Sequence, residues 1–245
     1  MVIIPVVSSK GGVGKSTIAL NFATELSKYY KTLLVDSDPQ NSLAFFLCKD
    51  FSKGLSEILF ENLNPERAIY REVNSEPNLD FVPTGTFCLK NQIFYEDNFD
   101  AENLKKFLNN ETIKNYEFVI FDTPPRISQH IETLIEISNY SLMVLTPDPA
   151  TFSSFVIFEK FFEDEEYIGK ILAVINRTEP SKVGEDFARI IKYKFGEKFL
   201  GFMPRDDNVV ESQGKCIPIV IHNPDCAFSI FMRKIVLKFL DLIKI

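Results

Sequence analysis

Ten residues constrain this chain more than any others: Ser-Ser-Lys-Gly-Gly-Val-Gly-Lys-Ser-Thr at positions 8–17. They follow an apolar run, Val2–Ser8, and open an amphipathic stretch, Ser16–Tyr30. A strand that ends in a glycine-rich turn and re-enters a helix is the setting of a phosphate-binding loop. Gly11, Gly12 and Gly14 let backbone N–H groups curl around a polyphosphate, and the helix N-terminus adds partial positive charge. Lys15 has the reach to meet β- and γ-phosphates, the Ser16 hydroxyl can ligate Mg²⁺, and Thr17 can bond an α-phosphate. The strict pattern would need Gly at position 9, where this chain has Ser9 followed by Lys10.

The rest of the chain alternates short apolar runs with helical periodicity. Strands are predicted at Val2–Ser8, Thr32–Asp36, Leu79–Pro83, Phe118–Asp122, Ser141–Thr146, Ile171–Asn176 and Lys198–Met203. Helices are predicted at Ser16–Tyr30, Ala101–Leu108, Gln129–Ile137, Phe152–Phe162 and Asp186–Phe195. Strands that are apolar throughout and separated by helices imply an α/β fold, a doubly wound, mostly parallel sheet covered on both faces. Pro5 conflicts with this pattern, because proline removes a ladder donor; it is expected at the start of the strand or at a bulge. The acidic run Glu163–Glu166 reads as a solvated loop. One domain over residues 1–245 is expected.

Composition sets outer limits. With 45% hydrophobic residues the chain can bury a core, and its net charge of −7 argues against a protein that coats nucleic acid over its whole surface. Any DNA contact must come from a local basic patch. The four cysteines, Cys48, Cys88, Cys216 and Cys226, lack CxxC spacing and are expected to be reduced thiols. No signal peptide and no membrane-spanning apolar run is apparent, which points to a cytoplasmic protein.

Three further segments share the chemistry of the loop. Leu33-Leu34-Val35-Asp36-Ser37-Asp38-Pro39-Gln40-Asn41 and Phe118-Val119-Ile120-Phe121-Asp122-Thr123-Pro124-Pro125 each place aspartate at the carboxyl end of an apolar strand, where ligands bind in parallel sheets. Ile175-Asn176-Arg177 and Phe202-Met203-Pro204-Arg205 end two later strands. Lys10-Gly-Gly-Val-Gly-Lys-Ser-Thr17 resembles the deviant phosphate loop of the ParA/MinD ATPases, and with these segments the resemblance covers about residues 2–240. It implies an ATP- and Mg²⁺-dependent P-loop hydrolase. Lys10, Gly11, Gly12, Val13, Gly14, Lys15, Ser16 and Thr17 would hold the phosphates. Ser16 and Asp122 would hold the metal, Asp38 would position the attacking water, and Asp36 would support it. Asn176 and Pro204 would lie at the base. It further implies a homodimer with ATP sandwiched between subunits, in which Lys10 of one subunit reaches the phosphates of the other.

The family divides by cargo. Some members ride DNA nonspecifically with a ParB-like stimulator; others bind membrane, as MinD does, or position flagella, chemoreceptors or carboxysomes, or assist cellulose secretion. Lys182, Arg189, Lys192, Lys194 and Arg205 form the basic set that would contact DNA phosphates, and the protein would then be nucleoid-associated. Ile191–Lys198 resembles the corresponding helix end of the partitioning branch, whereas Asn208 stands where that branch often has a second arginine. The charges of Ile230–Ile245 fall on one stripe, which suits a basic amphipathic helix on lipid and suits equally a terminal helix packed on the sheet. Packing is the expectation. DNA segregation by a ParA-type switch is therefore the leading reading. A positioning or regulatory ATPase for another cargo, working through an adaptor and without DNA, is the alternative.

Overall fold

The computed structural model describes residues 1–125, 128–162 and 165–244. Seven strands form one sheet: β1 (Val2–Val7), β2 (Thr32–Asp36), β3 (Leu79–Val82), β4 (Phe118–Asp122), β5 (Ser141–Leu145), β6 (Ile171–Thr178) and β7 (Phe199–Pro204). Their spatial order is β3-β2-β4-β1-β5-β6-β7, and every paired strand runs parallel. The doubly wound fold expected from the apolar runs is therefore present, and parallel throughout the sheet. The register sets Asp36 opposite Asp122 on β2 and β4, and Val6 opposite Asp122 on β1 and β4. Three carboxyl-terminal strand ends thus meet where the phosphate loop leaves β1.

Both faces of the sheet are covered. Ile4, Val6, Leu34, Phe118 and Ile120 pack with Phe22 of the helix Lys15–Leu26 and Phe239 of the helix Ala227–Ile243. On the other face Leu33, Val35, Val119 and Phe121 pack with Tyr95, Phe107 and Leu134. Alternate strand residues serve opposite layers, so a strand buried on both faces needs an unbroken apolar run. The last helix lays Phe228, Met232, Ile235, Val236 and Phe239 into the core. Arg233 reaches Glu25 at 3.3 Å, and Lys238 donates to the carbonyl of Phe199 at 2.6 Å. The tail is thus a packed helix; Ile245 lies outside the described residues. No described helix is long and apolar enough to cross a membrane.

Some expectations change. Pro5 sits inside β1, opposite Phe121. The N–H of Ile3 meets Asn139 Oδ1 at 2.9 Å on the side of β5, and alternation turns the Pro5 nitrogen to that same side. Pairing with β5 begins only at Val6, so no ladder bond is lost. The first helix stops at Leu26, where Ser27 turns its hydroxyl back to the Thr24 carbonyl. The helix expected from Asp186 begins at Lys182, because Ser181 caps it by accepting from the Gly184 N–H at 3.0 Å. The expected loop Glu163–Glu166 falls partly outside the described residues; Glu165 already belongs to the helix Glu165–Gly169. The four cysteines are not all free. Cys48 and Cys216 are joined as a disulfide, across a sequence distance that spacing rules do not read. Cys88 and Cys226 are free thiols.

Candidate functional site

The loop after β1 carries Gly12 at φ 76° and Gly14 at φ 96°, a left-handed geometry that glycine alone adopts at little cost. A Cβ on Gly14 would lie 2.4 Å from the Asn176 side-chain nitrogen. That contact exists because Asn176, at the end of β6, donates to the Val13 carbonyl at 2.8 Å and braces the loop from behind. Asn176 was expected at the base; it lines the nucleotide-sized cavity while its amide N–H holds the loop.

Lys15 opens the first helix and is 93% buried at the strand ends (7% exposed). Burial pulls its ammonium below the usual lysine range, while Asp122 and Asp38 act in the opposite direction. Three buried carboxylates end the neighbouring strands β2 and β4. Asp36 is fully buried and accepts from the N–H groups of Asp38 at 3.1 Å and Leu43 at 3.0 Å. Burial, Asp122 and Asp38 together push its carboxyl well above the normal range. Asp36 therefore shapes the loop that follows it. Asp38 accepts from the Gln40 N–H at 2.9 Å, and its carbonyl accepts from the Thr84 hydroxyl at 2.7 Å. Burial raises its carboxyl too, opposed by Gln40 and Lys15.

Asp122 differs from both. Its two carboxylate oxygens are buried and have no hydrogen-bond donor among the described residues. Burial pushes its carboxyl up to about 7; Lys15 and the nearby Ser16 hydroxyl pull it down without completing a hydrogen bond. A buried carboxylate with empty oxygens costs free energy unless a cation occupies the place. The donor set of one carboxylate beside one helix-terminal hydroxyl fits Mg²⁺, which takes few protein ligands and keeps waters and phosphate oxygens. Ser16 and Asp122 are the residues that would hold it.

A cavity of about 630 Å³ opens beside the loop. Its walls include Lys10 to Gly14, Thr17, Asp148, Asn176, Arg177, Pro204, Arg205, Val209 and Val210. Pro204 and Asn176 are thus both placed at it. Thr17 accepts from Gln213 at 3.2 Å, a link that sequence reasoning missed. Lys10 stands on the rim with 43% of its side chain exposed, 3.5 Å from Asp148. Asp148 was also missed. It caps the helix Pro149–Phe161 by accepting from the Thr151 N–H. Burial acts to raise its carboxyl, but donors from Thr146 and Thr151, with Lys10 nearby, outweigh this and hold it at about 2. The Asp-Pro dipeptide after β5 was the available signal.

Three of the five residues of the basic set have carboxylate partners. Arg189 leans toward Glu185 and Asp186 at 3.9 and 4.0 Å, Lys194 pairs with Glu159 at 2.6 Å, and Arg205 pairs with Glu179 at 2.8 Å. Lys182 and Lys192 make no ion pair among the described residues. Arg205 also lines the cavity. Asn208 donates to Asp206 at 2.7 Å.

Comparison with known proteins places this geometry. The AAA_31 family model, described as an AAA domain, matches residues 1–160. The virulence plasmid ParA family protein pGP5-D of Chlamydia trachomatis is 30% identical over 147 residues, 58% of this chain and 55% of that protein. The chain thus spans little more than half the length of that curated relative. A plasmid partition protein of Borrelia burgdorferi B31, solved with AMPPNP, superposes with a TM-score of 0.80 at 24% identity, covering 98% of this chain and 99% of that one. The septum site-determining protein MinD of Pyrococcus horikoshii, complexed with Mg-ADP, superposes with a TM-score of 0.80 at 22% identity, covering 99% and 97%.

Proposed function

The chain belongs to the AAA-domain family of ParA/MinD-type proteins, and from that premise we propose that it is a slow, dimer-dependent ATPase acting as a partition or positioning switch. One observation carries the reading. Asp38 and the donorless Asp122 face Lys15, with Asp122 beside Ser16 and level with Asp36, at the carboxyl end of a parallel sheet.

Phosphoryl transfer to water asks for positioning and charge neutralisation more than covalent help. Backbone N–H groups of Gly11 to Thr17 and the Lys15 ammonium hold the phosphates. Asp38 orients the attacking water. Ser16 and Asp122 would hold Mg²⁺, which would supply further charge neutralisation. Lys10, half exposed on the rim and restrained by Asp148, is free to leave that ion pair and reach the phosphates of a second copy. An exposed pair of this kind is worth about 1 kcal/mol or less, so its release is cheap. ATP would then favour the closed homodimer, and hydrolysis would release it.

For cargo, nonspecific DNA is the first reading. Lys182 and Lys192, with Arg189 and Lys194, would contact phosphates in the ATP state, alongside a ParB-like stimulator, in the cytoplasm on the nucleoid. The ion pairs of Arg189, Lys194 and Arg205 favour the second reading, a cargo other than DNA reached through an adaptor. The test is fluorescence anisotropy of a random-sequence duplex with Asp38→Ala protein, which should hold ATP without hydrolysing it. Binding with ATP but not ADP, lost with salt and with Lys192→Glu, supports DNA. No binding by protein that dimerises with ATP supports the second reading.

A further inference from the structure

The disulfide ties the helix that walls one side of the nucleotide cavity to the segment that follows the Asp36–Asp38 loop, and neither cysteine is needed by the function proposed above. Cys48 follows the short helix Ser42–Phe46, whose Leu43 N–H is fixed to Asp36. It is therefore tied to the loop that carries Asp36 and Asp38. Cys216 follows the helix Asn208–Gly214, which supplies Val209 and Val210 to the cavity wall and Gln213 to Thr17. The two Cα atoms lie 5.6 Å apart, although 168 positions separate the residues in sequence. That distance falls within the range a disulfide spans without backbone movement. Both residues adopt left-handed backbone conformations, with φ 49° at Cys48 and 58° at Cys216. Ordinary residues adopt that conformation uncommonly. Cys48 is exposed and Cys216 half-buried, whereas Cys88 is buried.

We propose that Cys48 and Cys216 form a reversible thiol–disulfide site, reactive toward low-molecular-weight disulfides, that clamps the nucleotide cavity when oxidised. The exposed Cys48 thiolate attacks one sulfur of a glutathione disulfide, forming a mixed disulfide and releasing one glutathione thiolate. The Cys216 thiolate then attacks Cys48 Sγ and releases the second. Two electrons pass from the protein to glutathione, and the two protons lost by the cysteines go to the released thiolates. Opening the cavity by swinging the helix Asn208–Gly214 outward carries Cys216 away from Cys48, so the bond resists it. Reduction removes that restraint. The clamp rests on the cavity being the nucleotide site.

The experiment uses the full chain carrying Cys226→Ser, which removes the other accessible thiol. The protein is equilibrated in reduced or oxidised glutathione, and peptide mass spectrometry reads the Cys48–Cys216 crosslink. Stopped-flow release of a fluorescent ADP follows. The expected result is a crosslink in oxidised glutathione, release slowed by about fivefold or more, and full recovery with dithiothreitol. Cys48→Ser and Cys216→Ser should each release at the reduced rate in both buffers. Two free thiols at Cys48 and Cys216 throughout the oxidising range would overturn the proposal. So would a crosslink that leaves release unchanged. Absence of ADP binding in both redox states would instead refute the nucleotide reading, and with it the clamp, while mass spectrometry would still report whether the bond forms.

Discussion

Asp122 gives the most exacting test of the site. Below about pH 4 its carboxyl is protonated in folded and unfolded chains alike. Between 3.8 and about 7 only the folded state keeps the proton, so stability falls as pH rises across that window. Above about 7 the folded protein carries a buried, donorless carboxylate and the full cost is present. At about 1.4 kcal/mol per pH unit, the interval bounds that cost at about 4 kcal/mol. Asp122→Asn removes the charge without changing the shape. The apo variant should match wild type near pH 4 and exceed it at pH 8 by up to about 4 kcal/mol in urea denaturation. Mg²⁺ with ATP should restore wild type at pH 8 and leave the variant unmoved. Equal pH slopes for wild type and variant would refute the claim that this carboxylate waits for a cation.

Other outcomes follow from the same geometry. Gly14→Ala forces a side chain onto a left-handed backbone and into Asn176, so nucleotide affinity measured by calorimetry should fall by about 5- to 150-fold, for a strain of about 1–3 kcal/mol. Glu57 accepts from the N–H groups of Gly54, Thr86 and Phe87, so Glu57→Ala should cost about 3 kcal/mol in chemical denaturation, and a loss below about 1 kcal/mol would contradict that role. Asp148→Ala frees Lys10 and uncaps the helix Pro149–Phe161; nucleotide binding should stay within about threefold while thermal stability drops by about 1 kcal/mol.

Much of this arrangement was legible in the residues. Unbroken apolar runs such as Leu33–Val35 and Phe118–Phe121 announce strands buried on both faces, and aspartates at their ends announce the crevice. Gly12, Gly14, Lys15 and Ser16 carry their chemistry within one short loop, so local sequence suffices. What sequence hid was long-range. The Lys10–Asp148 pair, the Gln213–Thr17 bond, the Asn176 brace and the Cys48–Cys216 bridge join residues from different strand-to-helix turns, and only the strand order brings those turns together. Pro5 misled for the same reason, because the partner missing on its β5 side is a property of register. The basic set was legible as composition, but its carboxylate partners, Glu159 and Glu179, come from other elements.

The central claim is that Lys10 completes the site of a second copy. The measurement that tests it most directly is ATP turnover per subunit against protein concentration, for wild type and Lys10→Ala, with nucleotide affinity recorded in parallel. The account predicts that wild-type turnover per subunit rises with concentration, and that Lys10→Ala abolishes the rise while binding nucleotide normally. Turnover per subunit that is independent of concentration, or unchanged in Lys10→Ala, would contradict it.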